Sequence, residues 1–218
     1  SHNQFEKLNI SNKYIVEKNE MQITYKLDFV NIKENDIVFC SLEFVDDLFL
    51  LLRKVKNIKN LKLITHQSDI GINQNLFARK PKCISKWYSI NVEFEDKNLI
   101  PIPIGIANEF SPKNLQGKDL RSLPFSQKQK TLYINFNKNT NHENRNKIYQ
   151  TYKNKDWAII KQPTLSMEEY NNDLQKNLYV LSPWGNGIDT HRFWEALYSG
   201  SIPITAPHTT YSSASDLP

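Results

Sequence analysis

The stretch "LYVLSPWGNGIDTHRFWEALYSGSIPITA", residues 178–206, holds two periodicities in one line. "LYVLSP" (178–183) is an apolar run of strand length, closed by a proline that cannot donate to a central ladder. "DTHRFWEALYS" (189–199) has helical spacing and is closed by Gly200, the residue type favoured just past a helix end. "SIPITA" (201–206) reads as a strand again. A strand returning to a strand through a helix specifies a parallel, helix-covered sheet.

The same rhythm extends outward. "TLYINF" (131–136) and "WAIIK" (157–161) read as strands, and "ENRNKIYQTYKN" (143–154) as a helix. "SMEEYNNDLQK" (166–176) reads as a helix whose Ser166 and Glu169 match a capping box. Upstream, "DIVFCSLEF" (36–44) and "LKLITH" (61–66) are strand runs around a helical "VDDLFLLLRKVKNI" (45–58), with Leu48, Leu51, Leu52 and Val55 on one face. "PKCISKWYSINVE" (81–93) is expected to be a helix opened by its proline. "LIPIPIGIA" (99–107) is a strand that Pro101 and Pro103 should end early. Between the two series, residues 111–130 are rich in Pro, Lys and polar residues. The expected architecture is α/β: two Rossmann-like doubly wound domains, 1–115 and 131–218, facing across a cleft and joined by a linker at 116–130.

Composition bounds what such a chain does. Its 218 residues are 39% hydrophobic and 11% aromatic, which suits a globular protein and excludes a disordered one. A net charge of +5 favours anionic partners without naming one. A nucleic-acid binder is disfavoured, because the lysines are scattered and no finger, helix-turn-helix or RNP pattern occurs. Cys40 and Cys83 fit no metal or redox spacing and read as buried free thiols of a reducing compartment. No apolar run has membrane-spanning length and no targeting segment is evident, so a cytoplasmic protein is expected, with peripheral membrane association left open.

The turn before the helix at 189–199 concentrates the chemistry. Only six glycines occur in the chain, and Gly185, Gly187 and Gly200 surround this one element. Gly185, Asn186 and Gly187 allow a close backbone approach to a ligand, and Asp189 or Thr190 can cap the helix. Arg192 in the first turn opposes the helix dipole, at a cost of a few tenths to about 1 kcal/mol. An anion bound there reverses that sign, because backbone N–H groups and the guanidinium then face a phosphate together. Glu195, one turn on, is placed to accept from ribose hydroxyls. The same spacing also suits an ordinary Arg192–Glu195 surface pair, and His191 is as suited to packing against aromatics as to a ligand. Trp184 is expected in the site wall and Trp194 in the core.

"SPWGNGIDTHRFWEALYSGSIPI" (182–204) resembles the carboxyl-terminal motif of exostosin-like glycosyltransferases and their bacterial and viral relatives. "YINFNKNTNHENR" (133–145) and segments between 63 and 108 are similar to that group as well, whereas the first 35 residues are not. The resemblance implies a GT-B fold and an inverting transferase that uses a nucleotide-sugar donor, typically a UDP-sugar, for polysaccharide or glycoconjugate synthesis. It places the diphosphate on Arg192, the ribose on Glu195, and Asn137, Asn139 and Arg145 near the donor. For the two asparagines turn chemistry is the alternative, and for Arg145 a surface role. It implies no cofactor and no metal, the leaving diphosphate being met by basic groups and a helix N-terminus.

A catalytic base is expected from "THQSD" after the strand at 61–66, where His66 and Asp69 stand, with Glu109 as a further candidate. Ser68 and Asp69 equally suit a local cap. The acceptor is expected to be a glycan or glycolipid. In this family a further strand and helix follow the motif, so after "SSASDLP" either a truncated second domain or a shorter enzyme is expected. Two other readings stay open: a GDP-fucose-dependent fucosyltransferase, and a non-catalytic nucleotide- or sugar-binding module.

Overall fold

The computed structural model describes residues 32–108 and 114–217, together with the backbone of two strands, β1 (Lys13–Lys18) and β2 (Ile23–Leu27), which pair antiparallel. Glu109 lies outside the described residues.

The first half builds a four-stranded parallel sheet in the order β3 (Ile37–Ser41), β4 (Leu61–His66), β5 (Ile84–Ser89), β6 (Leu99–Pro101). Helix α1 (Val45–Lys54) connects β3 to β4, and the short α2 (Gln74–Ala78) connects β4 to β5. Both helices share one core with the sheet, in which Val45, Phe49 and Leu52 of α1 meet Leu63, Leu76 and Trp87. Phe49 stands edge-on to Trp87 with ring centroids 5.5 Å apart, a favoured aromatic geometry.

Three expectations change here. Residues 84–89 form strand β5 and not a helix opened by Pro81; Ile84 and Trp87 are buried, while Lys82 is exposed and Lys86 half-buried. In α1 the buried stripe is Val45–Phe49–Leu52, and Leu51 and Val55 are exposed; a run as uniform as "LFLLL" leaves the choice of face to the sheet. The sheet is also not doubly wound among the described residues. Its strands follow in chain order with α1 and α2 on one face, and the cross-strand row Phe39, Ile64, Tyr88, Ile100 occupies the other face, Phe39 being 59% exposed.

The second sheet, also parallel, runs β10 (Ile202–Ile204), β9 (Asn177–Leu181), β7 (Gln129–Ile134), β8 (Ala158–Ile160). Helix α3 (His142–Tyr152) packs on one face, where Ile148, Tyr149 and Tyr152 meet Ile134, Phe136 and Leu181. On the other face Tyr170 and Leu174 of α4 (Met167–Lys176) and Ala196 of α5 (His191–Tyr198) meet Tyr133 and Val180. This sheet is doubly wound. Its helices change face between β7 and β9, and such a switch point opens a crevice at the strands' carboxyl ends.

Ser166 caps α4 with the full capping box to Glu169, and Gly200 ends α5 at φ +72°, a conformation that favours glycine. The expected linker at 116–130 is mostly exposed and is anchored at both ends. Leu115 is buried in the second core, and Lys128 sends its ammonium to Gln175 O, Ser199 O and Ser201 Oγ. Both cysteines are free thiols and half-buried. No helix among the described residues is long and apolar enough to cross a membrane.

Candidate functional site

The crevice at the β7/β9 switch point is a cavity of about 570 Å³, walled by Asn137 and Arg145 on one side and by Gly185, Thr190, Arg192 and Glu195 on the other. Asn186, Asp189, His191 and Asp69 also reach it. The structure therefore brings together ten of the twelve candidate site residues; His66 and Asn139 lie outside this cavity.

Arg145 is not a surface residue of its helix. Its side chain projects from α3 under the β9–α5 turn and is only 6% exposed. Nε donates to Trp184 O at 2.8 Å, Nη1 to Asn137 O at 3.0 Å and Nη2 to Pro183 O at 3.2 Å. All three acceptors are neutral. Burial, and then the neighbouring Arg192 charge, push its pKa down to about 10. Two guanidinium groups thus repel each other across a cavity wall, and among the described residues neither is ion-paired with a carboxylate.

Arg192 keeps its first-turn position, with its guanidinium carbon 5.7 Å from the Tyr170 ring centroid. Its Nε is buried without a partner, and so is the hydroxyl of Thr190, the N-cap residue. Thr190 makes no side-chain cap bond. The surface pair with Glu195 does not form. Glu195 is buried, and its two oxygens accept from Tyr170 Oη at 2.8 Å and Leu115 N at 3.2 Å. Glu195 lines the cavity from that fixed position.

The turn glycines have a packing cause as well. A Cβ on Gly187 would stand 2.8 Å from Asn91 Nδ2, and one on Gly185 3.3 Å from Arg145 Nη2. Asn91, 1% exposed and at φ +53°, donates to Ser68 O at 3.2 Å and accepts from Asp189 N at 2.8 Å. Asp189, expected at the donor, works between the sheets. Its Oδ2 accepts from Ile104 N at 2.6 Å and its Oδ1 from Trp194 Nε1 at 2.8 Å. Burial raises its pKa in spite of those bonds. Trp194 is core as expected, and Trp184 lies edge-on to His208.

Asn137 lines the cavity, yet its Oδ1 accepts from Asn139 N at 2.9 Å, which is the turn chemistry of the alternative reading. Asn139 faces a separate crevice of about 220 Å³ between α3 and the end of β8.

A second chamber of about 360 Å³ adjoins the first at the carboxyl end of β4. His66 and Glu43 are among the residues that line this chamber and not the first; Asp69, Ile104 and His191 line both. Burial lowers the His66 pKa, with His191 adding to the effect and a hydrogen bond to the Pro103 carbonyl opposing it. Ser68 Oγ accepts from Ile70 N at 3.2 Å, so the local turn is Ser68's and not a cap by Asp69, which is exposed. His191 Nδ1 lies 2.7 Å from Gly105 O. Asn91, Tyr170 and Ile104 were not singled out in the sequence. Tyr170 sits at a core position of an amphipathic helix, Ile104 acts through its backbone, and Asn91 has no flanking pattern. No group of three or more His, Cys, Asp or Glu side chains suited to a metal ion occurs among the described residues.

No family model matches the sequence. No curated protein matches it either. Among solved structures, a crystal structure of an alpha1,3-fucosyltransferase is similar at 12% identity, over 86% of this chain and 71% of that chain, with a TM-score of 0.40.

Proposed function

We propose that the chain is a GT-B-type inverting glycosyltransferase that takes a nucleotide-diphosphate sugar, a UDP-sugar, into the larger chamber and an acceptor hydroxyl of a glycan or glycolipid into the smaller. One observation carries the reading: buried Arg145 and half-buried Arg192 face one cavity at a helix N-terminus, and among the described residues neither is ion-paired with a carboxylate. Such charge is costly unless an anion completes it. The unpartnered Thr190 hydroxyl and Arg192 Nε are donors for the same anion.

On this reading the diphosphate sits between Arg192, Thr190 and the edge of Arg145. The ribose lies toward Glu195, where each carboxylate oxygen retains a lone pair. The sugar points to the wall shared by the two chambers, and a base from Asp69, His66 or His191 takes the acceptor proton. The leaving diphosphate is met by fixed positive groups without a metal.

Calorimetric titration with UDP, GDP, CDP, TDP and ADP, with and without EDTA, tests this. Selective binding of UDP that EDTA leaves unchanged is the expected result, and selective binding of GDP points to the fucosyltransferase alternative. Binding of none refutes the donor site.

A further inference from the structure

We propose that His191 is the general base of the transfer, a proposal that rests on the donor reading above. Two features single it out from the other groups on the shared wall.

The first is its tautomer. A carbonyl oxygen only accepts, so the 2.7 Å contact to Gly105 O puts the hydrogen on Nδ1. In the neutral ring the lone pair is then on Nε2. His191 is the first residue of α5, and Gly105 lies on the strip that leaves the first sheet beyond β6, so the ring is held from both halves of the cleft.

The second is position. His191 lines both chambers, and the transferred sugar has to cross from one to the other. His66 lines only the smaller chamber. Asp69 lines both but is exposed, so its carboxylate is hydrated and not directed.

The step balances without another reagent. The acceptor O–H proton moves to Nε2 while the acceptor oxygen forms a bond to the anomeric carbon. The bond from that carbon to the phosphate oxygen breaks, and its electron pair leaves with the nucleoside diphosphate toward Arg192 and Arg145. The imidazolium releases the proton to water once the products depart.

The test uses the whole chain and its His191→Asn variant, whose amide keeps a donor for Gly105 O but has nothing in place of Nε2. Long-range ¹H–¹⁵N spectra of the wild type should show His191 protonated on Nδ1; protonation on Nε2 alone overturns the proposal. Calorimetry with UDP and GDP should give the two proteins affinities within about threefold. Consumption of UDP-glucose, UDP-N-acetylglucosamine, UDP-galactose, GDP-fucose and GDP-mannose, with water or glycerol as acceptor, should fall by about 100-fold or more in the variant. Nucleotide binding with equal consumption in both proteins overturns the base and leaves the donor site standing. Binding with no consumption by the wild type removes catalysis, and the base with it. No nucleotide binding removes the donor reading itself.

Discussion

The backbone amide of Ile104 donates to Asp189 Oδ2 at 2.6 Å, a bond that joins the strip beyond the first sheet to the turn ahead of α5 in the second. Trp194 Nε1 holds the other oxygen. Removing the carboxylate in Asp189→Ala leaves two donors without acceptors, and about 2–4 kcal/mol of stability is expected to be lost. Urea unfolding checks this; a change within about 0.5 kcal/mol would deny the bond its role.

The same group sets a pH dependence. Its folded pKa is raised above the ordinary 3.8, so the stability it contributes is present below that value and is lost as pH rises through the folded pKa. His66 has the opposite sign. Its folded pKa lies below 6.5, so its contribution is present above 6.5 and is lost as pH falls through the folded value. In stability measured across pH 4 to 8, His66→Gln is expected to flatten the fall on the acid side of 6.5. A profile unchanged by that substitution would contradict the burial of His66.

The two turn glycines should respond differently. Gly187→Ala drives a methyl into Asn91 at 2.8 Å, and Asn91 is fixed by bonds to Ser68 and Asp189, so a loss of about 1–3 kcal/mol is expected. Gly185→Ala meets only the edge of Arg145 at 3.3 Å, and its effect should fall on nucleotide affinity more than on thermal stability. Calorimetry and thermal melts of both variants separate the two; identical behaviour would contradict the assignment.

Glu195 is held by Tyr170 and Leu115 and lines the cavity. Glu195→Gln keeps one acceptor for Tyr170 or Leu115 but changes the face offered to a ribose. It is expected to weaken a ribonucleotide more than its 2′-deoxy counterpart. Equal weakening of the two would leave Glu195 as a packing residue only.

The second sheet was largely legible from sequence, because each of its strands is followed by a helix of clear period and the capping residues Ser166 and Gly200 mark their ends. The first sheet was less so. Ile84–Ser89 is a central strand that the proline ahead of it disguised as a helix start, and "LFLLL" carries no information about which side faces in. In the site, the first-turn place of Arg192 was legible from the helical spacing, and the structure puts that residue on the cavity wall. The burial of Arg145 was not legible, because its partners are the backbone carbonyls of Pro183 and Trp184, and carbonyls leave no mark in a sequence. The bond that fixes Asp189 was hidden for a related reason: its partner, the Ile104 amide, lies in the other half of the chain.

The most direct test of the central claim, an anion site built from uncompensated guanidinium charge, is the affinity of Arg192→Ala for a nucleoside diphosphate and for the bare nucleoside. UDP binding is expected to weaken at least about tenfold, the scale of one charge-assisted contact, while uridine binding stays within about twofold. Equal loss for UDP and uridine, or no loss for either, would contradict a phosphate role for Arg192 and the function built on it.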